Sequence, residues 1–375
     1  MRYLLAFAAL TLLLGAEARA QFSFQNGNVV VSRVGTGTGA LSSAATAVFL
    51  EERSGVDGSV VQTISLATSG ANRLTMSGTA TSEGKIKYYN GYLAVAGYDA
   101  DAGATGPGSG GSIATSLSAT VNRKVALYSN GGSVSYTSLS DAYSASNIRA
   151  AISDGTNIWT AGTASNTTGG PGVRHTTVGS TTSTQLSTTV TNVRTVNIFD
   201  GQLFASHASG SNGRIMSVGT GLPTTSGQSM VGLTGVPNAD PSGYDFFFAD
   251  LDASISGADT MFRTVGNNVE QFVFDGTTWL TKGTIAIGAE TFGLSGIQNG
   301  SSVEFFVNTA SALRKYTLTS AWGSGFTANQ NWNVAAGANT AFRGNAAISA
   351  VPEPTAAGLL ALTGVAGLVF RRRRS

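Results

Sequence analysis

The chain of 375 residues carries 22 basic and 20 acidic side chains, 49 glycines and no cysteine, with only 11% of its residues charged. The missing cysteine excludes disulfides and thiolate chemistry, and two histidines are too few for a metal site built mainly from His or Cys. Few charges, much Gly, Ser and Thr, and short runs of Val, Ile, Phe and Tyr predict an all-β protein of many short strands joined by turns.

The first twenty residues, MRYLLAFAALTLLLGAEARA, have a basic residue at Arg2, an apolar run from Leu4 to Leu14 and small residues at Ala18 and Ala20. That order is a secretory signal peptide, with cleavage expected before Gln21. Six of the 22 basic residues (Arg2, Arg19 and Arg371 to Arg374) and two of the 20 acidic ones (Glu17, Glu353) lie at the two ends. The body, residues 21–350, is therefore slightly acidic, and its composition suggests neither nucleic acid nor an anionic membrane as its partner.

Strands NVVVSRVG, AVFLEERSG and SVVQTISLA open the body, followed by KIKYYNGYLAVAGYDA around Asn90-Gly91. The Gly-rich stretch from Asp101 to Gly111 reads as a surface loop. From Ile148 the chain repeats itself: IRAAISDGTNIWTAGTAS is matched by VRTVNIFDGQLFASHASG from Val193, both turning through Asp-Gly, and in its opening by FRGNAAIS from Phe342. Weaker copies begin at Tyr244 and at Phe292, the latter with a turn expected at Asn299-Gly300. Arg149 and Arg194 are 45 residues apart, and Arg343 follows after 149 more, close to three further units.

Four strands per unit at this period predict a β-propeller. The first unit lacks its first strand, and FRGNAAIS at the far end of the chain is available to supply it. Six four-stranded blades closed by the C-terminal strand are the expected architecture; seven blades or a β-solenoid are the alternatives. The body also resembles a group of secreted bacterial proteins of propeller type, a likeness that implies the fold and no activity.

Chemistry is sparse in the body. His175 and His207 fall in different repeats and read as isolated, exposed residues. The stretch GTGTGA from Gly35 lacks the third glycine of a dinucleotide fingerprint, and SEGK, Ser82 to Lys85, matches a Ser-x-x-Lys nucleophile pattern without its companion motifs. The acidic turn DFFFADLDASISGAD places Asp250, Asp252 and Asp259 close together, which makes calcium the candidate ion, although Gly257 is late and Met261 stands where an EF-hand loop has its closing Glu. A hairpin bonding its own backbone is the alternative. Trp159, Trp279, Trp322, Trp332, Tyr88, Tyr89 and Tyr98 are expected mostly in the core, with some free to stack on sugar rings.

The chain closes with VPEPTAAGLLALTGVAGLVFRRRRS, residues 351–375. Thr355 to Phe370 is uncharged and spans about 24 Å as a helix, short of a hydrocarbon core of about 30 Å. Pro352-Glu353-Pro354, the apolar stretch and Arg371, Arg372, Arg373 and Arg374 together resemble the PEP-CTERM sorting signal of exopolysaccharide-producing bacteria. The resemblance implies transient membrane anchoring, processing by an exosortase-type transpeptidase and delivery to the cell envelope, surface or extracellular matrix. A non-enzymatic surface or matrix module, binding exopolysaccharide or a surface protein, is the expected function. A polysaccharide hydrolase or lyase is the alternative, distinguished by carboxylates converging on the propeller axis.

Overall fold

The computed structural model describes residues 23–108, 110–207, 214–237 and 245–349. Among them are six four-stranded antiparallel sheets and a two-stranded ribbon, Ala45–Thr46 with Met76–Ser77, while the helices are two 3₁₀ turns, Ile113–Thr115 and Thr167–Gly169. The sheets are the blades of a six-bladed β-propeller, which sets aside seven blades and the solenoid. In blades 1 to 6 the innermost strands are Ala341–Ala347, Lys87–Tyr89, Ile148–Ser153, Val193–Phe199, Phe246–Ala249 and Thr291–Asn299. The copy expected from Tyr244 becomes a strand at Phe246, Tyr244 itself lying outside the described residues.

Blade 1 is assembled from both ends of the chain. Ala341–Ala347 pairs antiparallel with Val29–Val34, which in turn pairs with Val48–Arg53. All seven residues of the closing strand are buried, polar Asn345 included. It approaches blade 2 so closely that a Cβ on Gly344 would stand 2.6 Å from the Gly84 carbonyl oxygen and 2.6 Å from Lys85 Cα, which excludes any larger residue without backbone movement.

Turn chemistry sets the inner hairpins. Asn90 (φ 47°) and Gly91 (φ 84°), like Asp200 (φ 47°) and Gly201 (φ 68°), are both left-handed, the geometry that matches strand twist in a two-residue turn. At Asp154 the loop is wider, its Oδ1 accepting from the amides of Thr156 at 2.9 Å and Asn157 at 2.7 Å. In blade 6 Asn299 pairs with Ser302, so the turn centres on Gly300 and Ser301, one residue later than expected.

The repeated arginines occupy equivalent places. Pairing along the innermost strand skips one residue in blades 1, 3, 4 and 6, and the skipped residues are Arg343, Arg149, Arg194 and Phe292. A bulge re-aims its side chain out of the pleat. Arg149 Nη1 donates to the Val193 carbonyl at 3.0 Å and to Asn192 Oδ1 at 2.5 Å, at the entry to the next blade, and Arg343 Nη2 donates to the Gly78 carbonyl at 2.5 Å on the approach to blade 2.

The apolar core is divided into six seams, one between each neighbouring pair of blades. In the seam between blades 5 and 6, Phe247 stacks on Phe262 with centroids 4.8 Å apart, and Phe305 stacks on Tyr316 at 5.2 Å. Trp159, Trp279 and Trp332 are buried in other seams, as expected of aromatics on strands.

Candidate functional site

The innermost strands run side by side around the axis, and where they end, at the inner hairpin turns, they enclose a funnel of about 440 Å³. Its wall is made from five blades: Lys87 to Asn90, Asn197 to Asp200, Phe247 and Phe248, Leu294 to Gln298, and Ala346, Ala347 and Ser349. Aromatic and aliphatic side chains alternate there with amides and hydroxyls, the composition expected of a small-molecule cleft.

Several of these polar groups tie one blade to another. Asn197 Nδ2 donates to the Phe246 carbonyl at 3.1 Å while its Oδ1 accepts from the Ile198 amide at 3.0 Å. Ser295 donates to Asn345 Oδ1, and Asn345 Nδ2 donates to Asn308 Oδ1 at 2.8 Å. Lys87 crosses the axis to Asp245, Nζ to Oδ1 2.5 Å, with both side chains buried. By contrast, the buried hydroxyl of Tyr88 has no hydrogen-bond partner among the described residues. Leaving such a group unpaired costs about 1–3 kcal/mol, and the Tyr88 side chain packs against the apolar seam between blades 1 and 2. Burial raises the pKa of Tyr88 and of Tyr89, the latter helped by the charges of Asp154 and Asp200, so both phenols stay neutral near pH 7.

At the opposite ends of the innermost strands lies a second polar cluster, which is enclosed. Glu83 accepts from Tyr98 Oη at 2.5 Å, from the Ser77 amide at 3.0 Å and from Asn147, and burial pushes its carboxyl pKa upward against those bonds. Burial brings the Lys85 amine down to about 7, opposed by the Asp245 carboxylate and reinforced by Arg194, Arg149 and Lys87. Lys85 Nζ donates to the backbone carbonyl of Ser82 at 3.2 Å, a bond that makes no use of the Ser82 hydroxyl.

The candidate calcium ligands are occupied by their own turn. Asp259 is buried and accepts from the amides of Leu251 and Asp252, from the Thr260 hydroxyl and from Trp322 Nε1. Asp252 Oδ1 accepts from the amide and hydroxyl of Ser254, while Asp250 is exposed. Among the described residues no group of three His, Cys, Asp or Glu side chains is placed to hold a metal ion. His175 is half-buried beside Asn157 Oδ1 at 3.0 Å, and His207 is fully buried, a correction to the expectation of exposed histidines.

Of the aromatics singled out in the sequence, Tyr88 and Tyr89 line the funnel, and Tyr98 is buried against Glu83. Asn197, Phe199, Ser295 and Gln298 were missed. Their signal was the shared place at the end of each repeat's first strand. Ala18, Ala20, Gln21, Pro352, Glu353, Pro354 and Arg371 to Arg374 lie outside the described residues. No helix among the described residues is long and apolar enough to cross a membrane.

A ring of six blades closed by its last strand, with a funnel at the axis, places the body among the β-propellers. At the end of the chain, residues 350–374 match the PEP-CTERM protein-sorting motif, and the sequence therefore carries a signal for export and envelope sorting by an exosortase-type enzyme. No curated protein matches the sequence. Among solved structures, a protein assigned as a 6-phosphogluconolactonase from Bacteroides uniformis ATCC 8492 is 10% identical with a TM-score of 0.44, over 80% of this chain and 81% of that one. A similarly assigned protein from Bacteroides fragilis NCTC 9343 is 10% identical with a TM-score of 0.44, over 84% and 97% of the two chains. The propeller domain of Cps50 (Swd1) from Myceliophteria thermophila is 8% identical with a TM-score of 0.42, over 81% and 96%. None of these likenesses carries an activity to this chain.

Proposed function

We propose that the mature protein is a non-enzymatic binding module of the cell surface or extracellular matrix, with the axial funnel as its site. On this reading residues 1–20 direct export and are removed before Gln21, and an exosortase-type transpeptidase processes the chain near Pro352-Glu353-Pro354. The observation that carries the binding role is the funnel wall: aromatic rings, amides and hydroxyls surround a cavity of about 440 Å³. Rings that stack and amides that fork between hydroxyls suit sugars. A glycoside hydrolase of the usual kind brings two carboxyl groups to its cleft, and among the described residues the wall contributes one, Asp200.

The test is an array of bacterial polysaccharides probed with residues 21–350 and with the Tyr89→Ala variant. Binding by the parent that the variant loses supports the reading. Silence of the parent across the array overturns it, and breakdown of a bound polymer to shorter chains restores the hydrolase or lyase.

A further inference from the structure

The last described residues fix where the sorting signal leaves the fold. Ala346, Ala347 and Ser349 form part of the funnel wall. Between them Ile348 is buried and held from both sides, its amide donating to the Asn28 carbonyl at 2.8 Å and its carbonyl accepting from the Gly27 amide at 2.9 Å. The chain is thus secured to within a residue or two of position 350, where the sorting motif begins. From Ser349 to Pro352 is three residues and to Thr355 six, at most about 10 Å and 20 Å of extended chain. Because the last strand is an innermost strand, the exit lies beside the axis and away from the rim. A disc held by a short cord at the centre of one face turns that face toward whatever holds the cord.

We propose that the funnel mouth faces the surface to which the C-terminal end is tethered, and that it grips neutral sugar units of the polymer at that attachment. The opposite face, with the loop that carries Asn166, is then presented outward. The choice of sugar rests on the binding role argued above, and the orientation rests on where Ser349 lies and on the C-terminal attachment argued above. Neutral sugar is favoured over a polyanion because, among the described residues, Lys87 is the one cation in the wall and is engaged by Asp245, while Asp200 adds a negative charge at the lip. Tyr89 and Phe199 supply stacking faces.

A chain without cysteine makes the test clean, since every introduced thiol is unique. Full-length Gln298→Cys and Ser349→Cys place a thiol at the funnel mouth, and Asn166→Cys and Thr168→Cys place one on the other face; all four positions are exposed. The variants are labelled on intact producing cells with a bulky, membrane-impermeant polyethylene-glycol maleimide, and again as purified residues 21–350. The expected result is labelling on cells several-fold slower at the mouth than on the opposite face, with the difference gone in the purified body. Equal rates on cells at both faces overturn the orientation. For the ligand, the purified Gln298→Cys body is labelled in the presence of the neutral or the acidic polysaccharide fraction stripped from the same cells. Protection by the neutral fraction alone supports the sugar assignment. Protection by the acidic fraction, or by neither, overturns that assignment while leaving the orientation result standing.

Discussion

Lys87 and Asp245 belong to blades 2 and 5, which stand opposite each other in the ring, and they join across the propeller axis with Nζ and Oδ1 2.5 Å apart. Asp245 also accepts from the Leu294 amide of blade 6 at 3.0 Å and from the Phe246 amide of its own strand at 2.9 Å. One carboxylate therefore ties three blades at the centre. Replacing Asp245 by Asn leaves the Lys87 charge buried, and the loss of one partner of such a pair costs about 3–5 kcal/mol. Denaturant unfolding of Asp245→Asn is expected to show a loss of that order, and the double change Lys87→Met with Asp245→Asn a smaller one. A double-mutant loss equal to the sum of the separate Asp245→Asn and Lys87→Met losses would mean that the pair is not coupled.

Stability should also depend on pH through Lys85. Its folded pKa of about 7 lies below the ordinary lysine value of 10.5, so the buried charge penalises the fold in full below pH 7. Between pH 7 and 10.5 the unfolded chain holds the extra proton, and this contribution to stability rises with pH. Unfolding free energies at pH 6.5 and 9.5 should differ less in Lys85→Met than in the parent.

The closing strand makes a separate prediction. A chain ending at residue 349 keeps all six blades, whereas one ending at residue 340 strips blade 1 of its innermost strand and leaves the edge of Val29–Val34 unpaired. The shorter chain is expected to aggregate or to melt well below the longer one, as read by light scattering and circular dichroism. Equal melting temperatures would show that the ring does not depend on this strand.

Arg343 and Arg73 offer a contrast between buried and exposed arginines. Arg343 is 2% exposed and holds the approach to blade 2 through Gly78, whereas Arg73 reaches Asp99 and Asp101 from a side chain that is 34% exposed. Hydrogen bonds to buried charged groups contribute about 1.5–3 kcal/mol, exposed ion pairs about 0–1 kcal/mol. Arg343→Ala should lower the unfolding midpoint clearly, and Arg73→Ala barely.

Calcium should leave the protein unchanged. The Asp259 oxygens already accept from two amides, a hydroxyl and an indole, so a cation would have to displace them. Thermal melts with calcium and with chelator are expected to coincide; a rise of several degrees with calcium would show that the turn rearranges to bind it.

The ring was legible in the sequence because its inner hairpins are locally encoded. Asn90-Gly91 and Asp200-Gly201 require left-handed backbone, and the bulged arginines recur at the start of the repeats. Outer strands were less legible: of the run STTSTQLST only Thr184–Gln185 pairs, since exposed Ser and Thr bond to turns as readily as to a ladder. The funnel was harder still. Both faces of an innermost strand are covered by neighbouring blades, as Phe246 and Phe248 lie in one seam and Phe247 and Ala249 in the next, so alternation cannot separate Asn197, which lines the funnel, from Val196, which fills a seam. Which residues converge at the axis depends on how many blades close the ring, and that number is a property of the whole chain.

Because blade 1 joins Val29–Val34 to Ala341–Ala347, the order of events during export is constrained. The first strands to reach the far side of the membrane wait for almost the last, and the ring cannot shut until some three hundred intervening residues have crossed. The segment carrying the address follows the closing strand. A chain broken off early during synthesis thus lacks both its closing strand and its sorting signal, so the copies that carry the signal are those that have received the strand that completes them.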